Sequence, residues 1–362
     1  METIISTGYA PVLELTRGDI VESIHRGAIV VVDVSGNILA WYGDPNTKTY
    51  LRSAAKPFQI LPFLEQGGME EFGITEPEVA LMCASHSGTD DHVAVLKVIQ
   101  EKTGVNESEL LCGVHHPFHL PTRDALRMLG EKPTPNRHNC SGKHTGMLAF
   151  LRLKERRGDH IPDGLIYIDP LHPIQREIVS TFAQMCQAPL EQVSVGIDGC
   201  SAPNFALPLR YVALAFARLA DPVSGGVQPP GRADACSTVV SAMTSHPDMV
   251  GGPERFDTRL MQVSRGRILM KAGAEGYQGV SLLPGALGPG SQAMGIALKI
   301  ADGDRRKSVR SAVVLEVLRQ LEALFEDELD ALAEYGPSFP IHNWRKIVVG
   351  EARPVVVLNR TG

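Results

Sequence analysis

The sequence predicts an α/β protein of the α+β kind, in which the two ends of the chain form one sheet around a helical middle. Strand-like runs occur near the N-terminus and again between residues 267 and 358, whereas helical patterns fill the region between them. Separate groups of strands and helices are typical of α+β folds. We therefore expect a mainly antiparallel sheet built from the N- and C-terminal segments, with a helical lobe inserted.

Individual elements can be assigned in chain order from turn residues and from apolar periodicity. Residues 28–33 and 38–42 flank the turn Ser35-Gly36-Asn37, which predicts a β-hairpin. Helical spacing of apolar residues predicts helices at 91–102, 146–156, 173–187, 208–220, 234–245 and 309–325. Late strands are predicted at 267–271, 277–283, 293–300 and 347–358. We expect a single domain, 1–362, with a sheet lobe at roughly 1–52 and 255–362 and a helical lobe at roughly 53–254.

Composition and charge argue against several classes of function. The chain has 362 residues, of which 43% are hydrophobic and 21% charged, as in ordinary globular proteins. A formal net charge of -6 argues against nucleic acid or an anionic membrane as the main partner. No run reaches the ~18 apolar residues of a membrane helix, and the N-terminus lacks the basic start and apolar core of a secretory signal. We expect a cytoplasmic protein.

The six cysteines are scattered through the chain and form no disulfide pattern. In a large chain without a secretory signal, reduced thiols are expected. Four of them lie in or beside apolar or helical runs and are interpreted as core residues: Cys83, Cys112, Cys186 and Cys236. The other two, Cys140 and Cys200, lie in polar loops that contain glycine.

The segment Ser53-Ala54-Ala55-Lys56 follows the predicted hairpin and opens a helix-like run. In a helix, residues three apart lie on one face, so the lysine amine would reach the serine hydroxyl. A serine becomes a good nucleophile when an adjacent base accepts its proton, and lysine is such a base when its pKa is lowered. The alternative is a solvent-exposed helix start, because Ser-x-x-Lys also occurs often by chance.

Two later segments extend this pattern. Ala84-Ser85-His86-Ser87-Gly88 combines hydroxyls, an imidazole and a glycine, although a glycine-capped helix end is the alternative. Lys271-Ala272-Gly273 ends a predicted strand with a cation and a glycine, although a basic strand end is the alternative. The order Ser-x-x-Lys, Ser-x-Ser, Lys-x-Gly resembles that of penicillin-recognising serine enzymes, which favours acyl transfer through a serine ester. The expected pairs are Ser53 with Lys56 and Ser85 with Lys271.

A separate feature points to a metal. Cys140 lies in a polar loop between His138 and His144, and Asp198-Gly199-Cys200 forms a similar loop sixty residues later. Two thiolates with one or two nitrogen ligands would make a tetrahedral zinc site. The spacing matches no common zinc finger, so two buried cysteines without a metal are the alternative.

Six blocks together resemble the asparaginases related to the inducible rhizobial enzyme: RSAAKPFQ, ASHSG, NCSGKHTGM, DGCSAPNFA, KAGAEG and GIALKIADGD. They run from Arg52 to Asp304 in the order found in that family, which differs from the threonine-nucleophile and plant-type asparaginases. The resemblance implies a fold like that of serine β-lactamases and the related glutaminases. It also implies hydrolysis of L-asparagine to L-aspartate and ammonia, by a cytosolic homodimer.

The resemblance implies roles for single residues as well. Ser53 would be the nucleophile and Lys56 its base, while Ser85 and Lys271 would relay protons. The implied zinc ligands are Cys140, Lys143 and Cys200, and a lysine that binds zinc does so as the neutral amine. The implied substrate-binding residues are Arg52, His144, Asp198, Gly273 and Glu275. Among these, an aspartate suits the α-ammonium of asparagine and an arginine suits its α-carboxylate.

Two other functions remain open at this stage. One is a different amide or β-lactam acyl-serine hydrolase, including one that accepts glutamine, because a single methylene changes binding by only ~1–3 kcal/mol. The other is a zinc-stabilised protein that binds an amino acid and releases no ammonia. The presence of two complete Ser-Lys pairs favours an enzyme.

Overall fold

The computed structural model describes residues 8–304 and 308–361. In chain order, the strands are β1 (Ala10–Arg17), β2 (Ile20–Asp33), β3 (Ile38–Tyr42), β4 (Lys48–Tyr50), β5 (Ser194–Ile197), β6 (Pro203–Pro208), β7 (Ile268–Ala272), β8 (Tyr277–Leu282), β9 (Met294–Ile300), β10 (Phe339–His342), β11 (Val348–Pro354) and β12 (Asn359–Arg360). The helices are α1 (Lys56–Gln59), α2 (Leu61–Glu65), α3 (Gly68–Phe72), α4 (Glu76–Met82), α5 (Asp90–Thr103), α6 (Leu120–Met128), α7 (Ser141–Arg156), α8 (Pro173–Met185), α9 (Leu209–Ala220), α10 (Pro230–Ser245), α11 (Pro247–Val250), α12 (Phe256–Val263), α13 (Val309–Gln320) and α14 (Glu326–Ala331).

The chain divides into two compact units. The sheet unit comprises Met1–Ala54, Leu207–Asp221 and Val263–Gly362, and the helical unit comprises Ala55–Ala206 and Pro222–Gln262. Parts of the predicted sheet lobe, at 1–7, 305–307 and 362, lie outside the described residues. Among the described residues, no helix has both the length and the apolar character needed to cross a membrane.

The sheet unit is built on an antiparallel sheet of nine strands within the described residues. Seven strands lie side by side in the order β10, β11, β1, β2, β9, β8, β7, and β3 pairs with both β2 and β12. The N- and C-terminal segments supply every strand of this sheet. The predicted fold class, an α+β arrangement with a mainly antiparallel sheet from both chain ends, is confirmed.

The predicted hairpin lies at the centre of this sheet. Residues 28–32 of β2 are fully or almost fully buried, and the strand pairs with β9 along one edge and with β3 along the other. Val30, for example, lies opposite Ala297 of β9 and Trp41 of β3. Burial on both faces explains why this strand is a continuous apolar run rather than an alternating one.

Helix α9 covers the central strands of the sheet, although its sequence pattern places it in the helical lobe. Two glycines permit the close approach of the helix. A Cβ on Gly295 would lie 1.8 Å from the carbonyl oxygen of Ala213, and a Cβ on Gly279 would lie 2.0 Å from the ring of Phe216. An apolar sequence indicates that a helix is buried, but it does not indicate which element covers the helix. The sequence could therefore not assign α9 to the sheet.

The helical unit places two functional segments side by side. Helix α7 begins against the C-terminal end of α4, where a Cβ on Gly142 would lie 2.1 Å from the carbonyl oxygen of Leu81. Ser85 follows α4 by three residues, and Cys140 immediately precedes α7. The contact between the two helices therefore holds the two loops together.

We expect Gly142→Ala to lower the melting temperature, because its methyl group would clash with a backbone oxygen that cannot move aside. Overpacking of this kind costs roughly 1–3 kcal/mol. Gly146→Ala in the same helix is the control, since the nearest atom to its Cβ would be the end of the Ile60 side chain, at 2.9 Å, which can move aside. Circular dichroism melting curves measure both variants, and an equal effect would contradict the packing argument.

Candidate active site

Ser53 and Lys56 lie in consecutive helical turns. Ser53 belongs to the 3-10 turn Arg52–Ala55, and α1 begins at Lys56 directly after it. Arg52 has a φ of 53°, in the left-handed region that residues other than glycine rarely adopt. Strained backbone of this kind clusters at functional sites. Ser53 is half-buried, so its hydroxyl is not sealed inside the core.

The loop after β7 passes directly against the segment that leads into Ser53. A Cβ on Gly273 would lie 2.2 Å from the carbonyl oxygen of Leu51, so only glycine fits at this crossing. Lys271, two residues earlier, is completely buried, and its Nζ donates to the carbonyl oxygen of Ala272 at 2.9 Å. The sheet unit thus brings the Lys-x-Gly segment next to the turn that contains Ser53.

Two cations hold the rest of this loop. The guanidinium of Arg310 donates to the carbonyl oxygen of Gly273 at 3.0 Å, and Nζ of Lys299 donates to that of Glu275 at 2.6 Å. Glu275 itself is exposed and has a φ of 57°. Sequence reasoning missed both cations as supporting residues, although Lys299 lies inside the block GIALKIADGD.

The side chain of Lys56 is held by three hydrogen bonds and is only 2% exposed. Its Nζ donates to Ser85 Oγ at 3.0 Å, to the carbonyl oxygen of Ala84 at 2.5 Å and to that of Asn139 at 3.3 Å. Three oxygens from two loops therefore lie within hydrogen-bond reach of the amine. The Lys56–Ser85 contact was not among the expected pairs; Ser53 with Lys56 and Ser85 with Lys271 stay predictions.

Two imidazoles support the loop that begins α7, and sequence reasoning missed their role. The backbone N–H of Asn139 donates to Nε2 of His115 at 3.1 Å, and the next N–H, that of Cys140, donates to Nδ1 of His138 at 3.0 Å. The two rings lie 4.3 Å apart. Burial, followed by the charge of His115, lowers the pKa of His138 to about 4, so this ring is neutral and can accept. The motif His115-His116-Pro117 could have signalled the pair.

The three predicted metal ligands come together in the helical unit. Cys140, Lys143 and Cys200 are all buried, and Nζ of Lys143 donates to Sγ of Cys200 at 2.9 Å. A hydrogen bond from Cys200 holds the pKa of the Cys140 thiol well below its usual value. Burial by itself would lower the pKa of Lys143, but the nearby charges of Cys200 and Cys140 outweigh it and raise that pKa.

This donor set fits a zinc ion. Two thiols and one amine converge, and the positive charge of Lys143 compensates the sulfur charge as a metal would. Within residues 8–304 and 308–361, no group of three or more His, Cys, Asp and Glu side chains is arranged to hold a metal. A metal at this position therefore depends on the lysine nitrogen.

The remaining predicted substrate residues are spread over both units. His144 is completely buried, and its Nδ1 lies 2.7 Å from the hydroxyl of Tyr167. Asp198 is half-buried at the end of β5, where its Oδ1 accepts the N–H of Gly199 at 2.7 Å. Its charge raises the pKa of Lys143, so it lies near the thiol and amine cluster. Tyr167 gave no signal in the sequence, because it lies outside every block.

Comparison with known structures finds bacterial glutaminases. The chain is similar to a probable glutaminase from Bacillus subtilis complexed with 6-diazo-5-oxo-L-norleucine, with 14% identity, a TM-score of 0.35, and coverage of 82% of this chain and 84% of that chain. A Bacillus glutaminase in 4.3 M NaCl has 12% identity, a TM-score of 0.36, and coverage of 83% and 92%. TM-scores this low carry no assignment of function or of site residues.

A comparison with models of protein families identifies the family of this chain. No curated protein sequence matches the chain significantly. The model of the L-asparaginase II family, in contrast, matches residues 13–354, which include every candidate site residue described above. Because this match spans almost the whole sequence, the chain belongs to the L-asparaginase II family and is an enzyme that acts on amides.

Proposed function

We propose that the protein hydrolyses L-asparagine to L-aspartate and ammonia through a serine acyl-enzyme. The observation that carries the proposal is the buried amine of Lys56, which directly follows the turn that contains Ser53 and whose Nζ lies 3.0 Å from Ser85 Oγ. An uncharged lysine amine can take a proton from a serine nucleophile, and a second hydroxyl bonded to the amine can relay that proton. Membership of the L-asparaginase II family supports asparagine as the amide.

The proposed reaction has two halves. Arg52 and Asp198 bind the α-carboxylate and the α-ammonium of asparagine, and Ser53 Oγ attacks the side-chain amide carbon while Lys56 accepts the serine proton. Ammonia leaves after it receives a proton from Lys56, or through Ser85 and Lys271, and a β-aspartyl ester on Ser53 remains. Water then attacks the ester, Ser53 recovers its proton, and aspartate is released.

We further propose that Cys140, Lys143 and Cys200 hold a zinc ion. When bound, the ion would supply a Lewis-acid anchor for the substrate and additional stability of the fold. The side chains present favour this assignment, because a neutral Lys143 amine and two thiolates form a nitrogen and sulfur donor set typical of zinc. The family resemblance is also the basis on which we propose a cytoplasmic homodimer.

The direct test is ammonia release by the purified protein from L-asparagine and, in parallel, from L-glutamine. We expect turnover of asparagine and much weaker turnover of glutamine. Binding of asparagine by calorimetry without ammonia release would replace this proposal with the amino-acid-binding alternative. Turnover of a chromogenic β-lactam, with no turnover of either amide, would replace it with the other acyl-serine alternative.

Removal of zinc is expected to raise KM more than it lowers kcat, and to lower the melting temperature. A ligand that binds only the folded state stabilises it by RT ln(1 + [L]/Kd), so its removal reverses that stabilisation. Elemental analysis should find one zinc per chain in the wild type and no bound zinc in Cys200→Ser. Cys236→Ser, at another buried cysteine, is the control and should keep the metal. Equal metal content in both variants would refute the site.

A further inference from the structure

His86 lies in the middle of the segment 84–88, next to Ser85, but the proposed reaction gives it no role. Its imidazole is completely buried. Nε2 of the ring lies 2.8 Å from Oγ of Ser141, the first residue of α7, which is also completely buried. A serine and a histidine at this distance have the spacing of a catalytic dyad, so the direction of their hydrogen bond decides what the pair can do.

Backbone groups on both sides of the pair determine where its protons lie. The N–H of Gly88 donates to Nδ1 of His86 at 3.2 Å, so Nδ1 is an acceptor and the neutral ring carries its proton on Nε2. Burial, followed by the charge of His92, lowers the pKa of His86 well below its usual value, which keeps the ring neutral. Oγ of Ser141 donates to the carbonyl oxygen of Asn136 at 3.0 Å, and a carbonyl oxygen can only accept. Nε2–H therefore donates to Ser141 Oγ, which is the reverse of the direction in a catalytic dyad.

This hydrogen bond joins the two loops that meet at the amine of Lys56. Nζ of Lys56 lies 3.0 Å from Ser85 Oγ and 3.3 Å from the carbonyl oxygen of Asn139. Ser85 directly precedes His86, and Asn139 lies two residues before Ser141. A change in the distance between His86 and Ser141 would therefore move one partner of the amine relative to the other.

We infer that His86 donates from Nε2–H to Ser141 and thereby holds the loop of Ser85 and the start of α7 at the separation that Lys56 needs for proton transfer. His86 and Ser141 are then positioning residues, which act through Lys56 and not on the substrate. The consequence for turnover rests on the proposed function, whereas the hydrogen bond and its effect on the Lys56 amine do not.

Ser141→Ala removes the acceptor of this hydrogen bond, and Ser281→Ala is its matched control. Ser281 is also a completely buried serine, and its hydroxyl donates to the carbonyl oxygen of Phe216 at 2.7 Å. Both variants should melt below the wild type, because each loses a buried hydroxyl hydrogen bond. At a temperature where both are folded, only Ser141→Ala should lose kcat for asparagine, by about 10–100-fold with little change in KM, since a misplacement of about 1 Å can have an effect of this size. Equal kcat in the two variants would overturn the positioning role.

A second pair of variants changes the imidazole itself. The amide nitrogen of glutamine reaches the place of Nε2, whereas the shorter side chain of asparagine reaches only the place of Nδ1. We therefore expect His86→Gln to retain more of the wild-type kcat than His86→Asn. Equal losses in the two variants would contradict donation from Nε2.

Nuclear magnetic resonance tests the same inference without turnover. In protein labelled with ¹⁵N at histidine, the His86 signals, assigned by their loss in His86→Gln, should show a ring protonated on Nε2, and protonation on Nδ1 would overturn the inference. The ¹³Cε signal of Lys56, assigned by its loss in Lys56→Arg, should shift in Ser141→Ala and keep its place in Ser281→Ala. An unshifted signal in Ser141→Ala would also overturn the inference. A wild type that releases no ammonia would refute the proposed function alone, and the two signals would still decide whether His86 positions the Lys56 amine.

Discussion

Ser53→Ala is expected to lower kcat for L-asparagine by at least about 10³-fold, because the variant lacks the oxygen that forms the ester. Losses of this size are usual when a catalytic nucleophile is removed. The half-buried side chain lies in a short turn and contributes little to the core, so the fold should be retained. Ammonia release at saturating asparagine measures the loss, and calorimetry should still detect asparagine binding.

Ser35→Ala is the matched control for this experiment. Ser35 also belongs to the sheet unit, but it lies in the exposed turn between β2 and β3, where only its backbone N–H bonds to Asp33. Its turnover should equal that of the wild type. If Ser53→Ala retained more than a few per cent of wild-type kcat, another group would have to be the nucleophile.

Lys56→Arg should cost a comparable factor, at least about 10³-fold in kcat, for a different reason. A guanidinium stays protonated at every accessible pH, so it cannot accept the serine proton. It can still donate to the carbonyl oxygens of Ala84 and Asn139, which lie 2.5 and 3.3 Å from Nζ of Lys56. Loss of activity with a preserved circular dichroism spectrum would assign Lys56 to proton transfer.

Lys56→Met tests the contribution of Lys56 to stability separately from its proposed role in proton transfer. It removes the hydrogen bonds of Nζ to the carbonyl oxygens of Ala84 and Asn139 and to the Ser85 hydroxyl, so we expect a lower melting temperature as well as lost turnover. Lys102→Met, which removes an ion pair with Glu78 in the same unit, should lower only the melting temperature. Wild-type kcat in Lys56→Met would disprove the assignment of the base.

Much of the fold was predictable because it depends on local pattern. The hairpin of β2 and β3, the helices α5, α8 and α13, and the late strands appear within a few residues of their predicted bounds. Helix α10 begins at Pro230 rather than at the predicted residue 234, because proline is favoured in the first helical turn. Strand β1 was missed, since its mixture of proline, leucine and charged residues shows no clear alternation.

The residues that hold the candidate site in place through hydrogen bonds could not be predicted from local pattern. Ser53, Lys56 and Cys140 belong to blocks with recognisable chemistry, whereas Tyr167 and Arg310 act through partners that are far away in sequence. Tyr167, for example, meets His144 across 23 residues, and Arg310 meets Gly273 across 37. Such contacts depend on how elements pack, which single-sequence periodicity does not encode.

The pairing of β2 with β9 has a consequence for how the enzyme is made. Residues 27–33 lie opposite residues 294–300, so strand β2, which precedes Ser53, finds its partner only after most of the chain has left the ribosome. Closing so long a loop is entropically costly and slows folding. The crossing of Gly273 with Leu51 depends on the same late event. A nascent or prematurely terminated chain would therefore carry Ser53 without its surroundings and should have no catalytic activity.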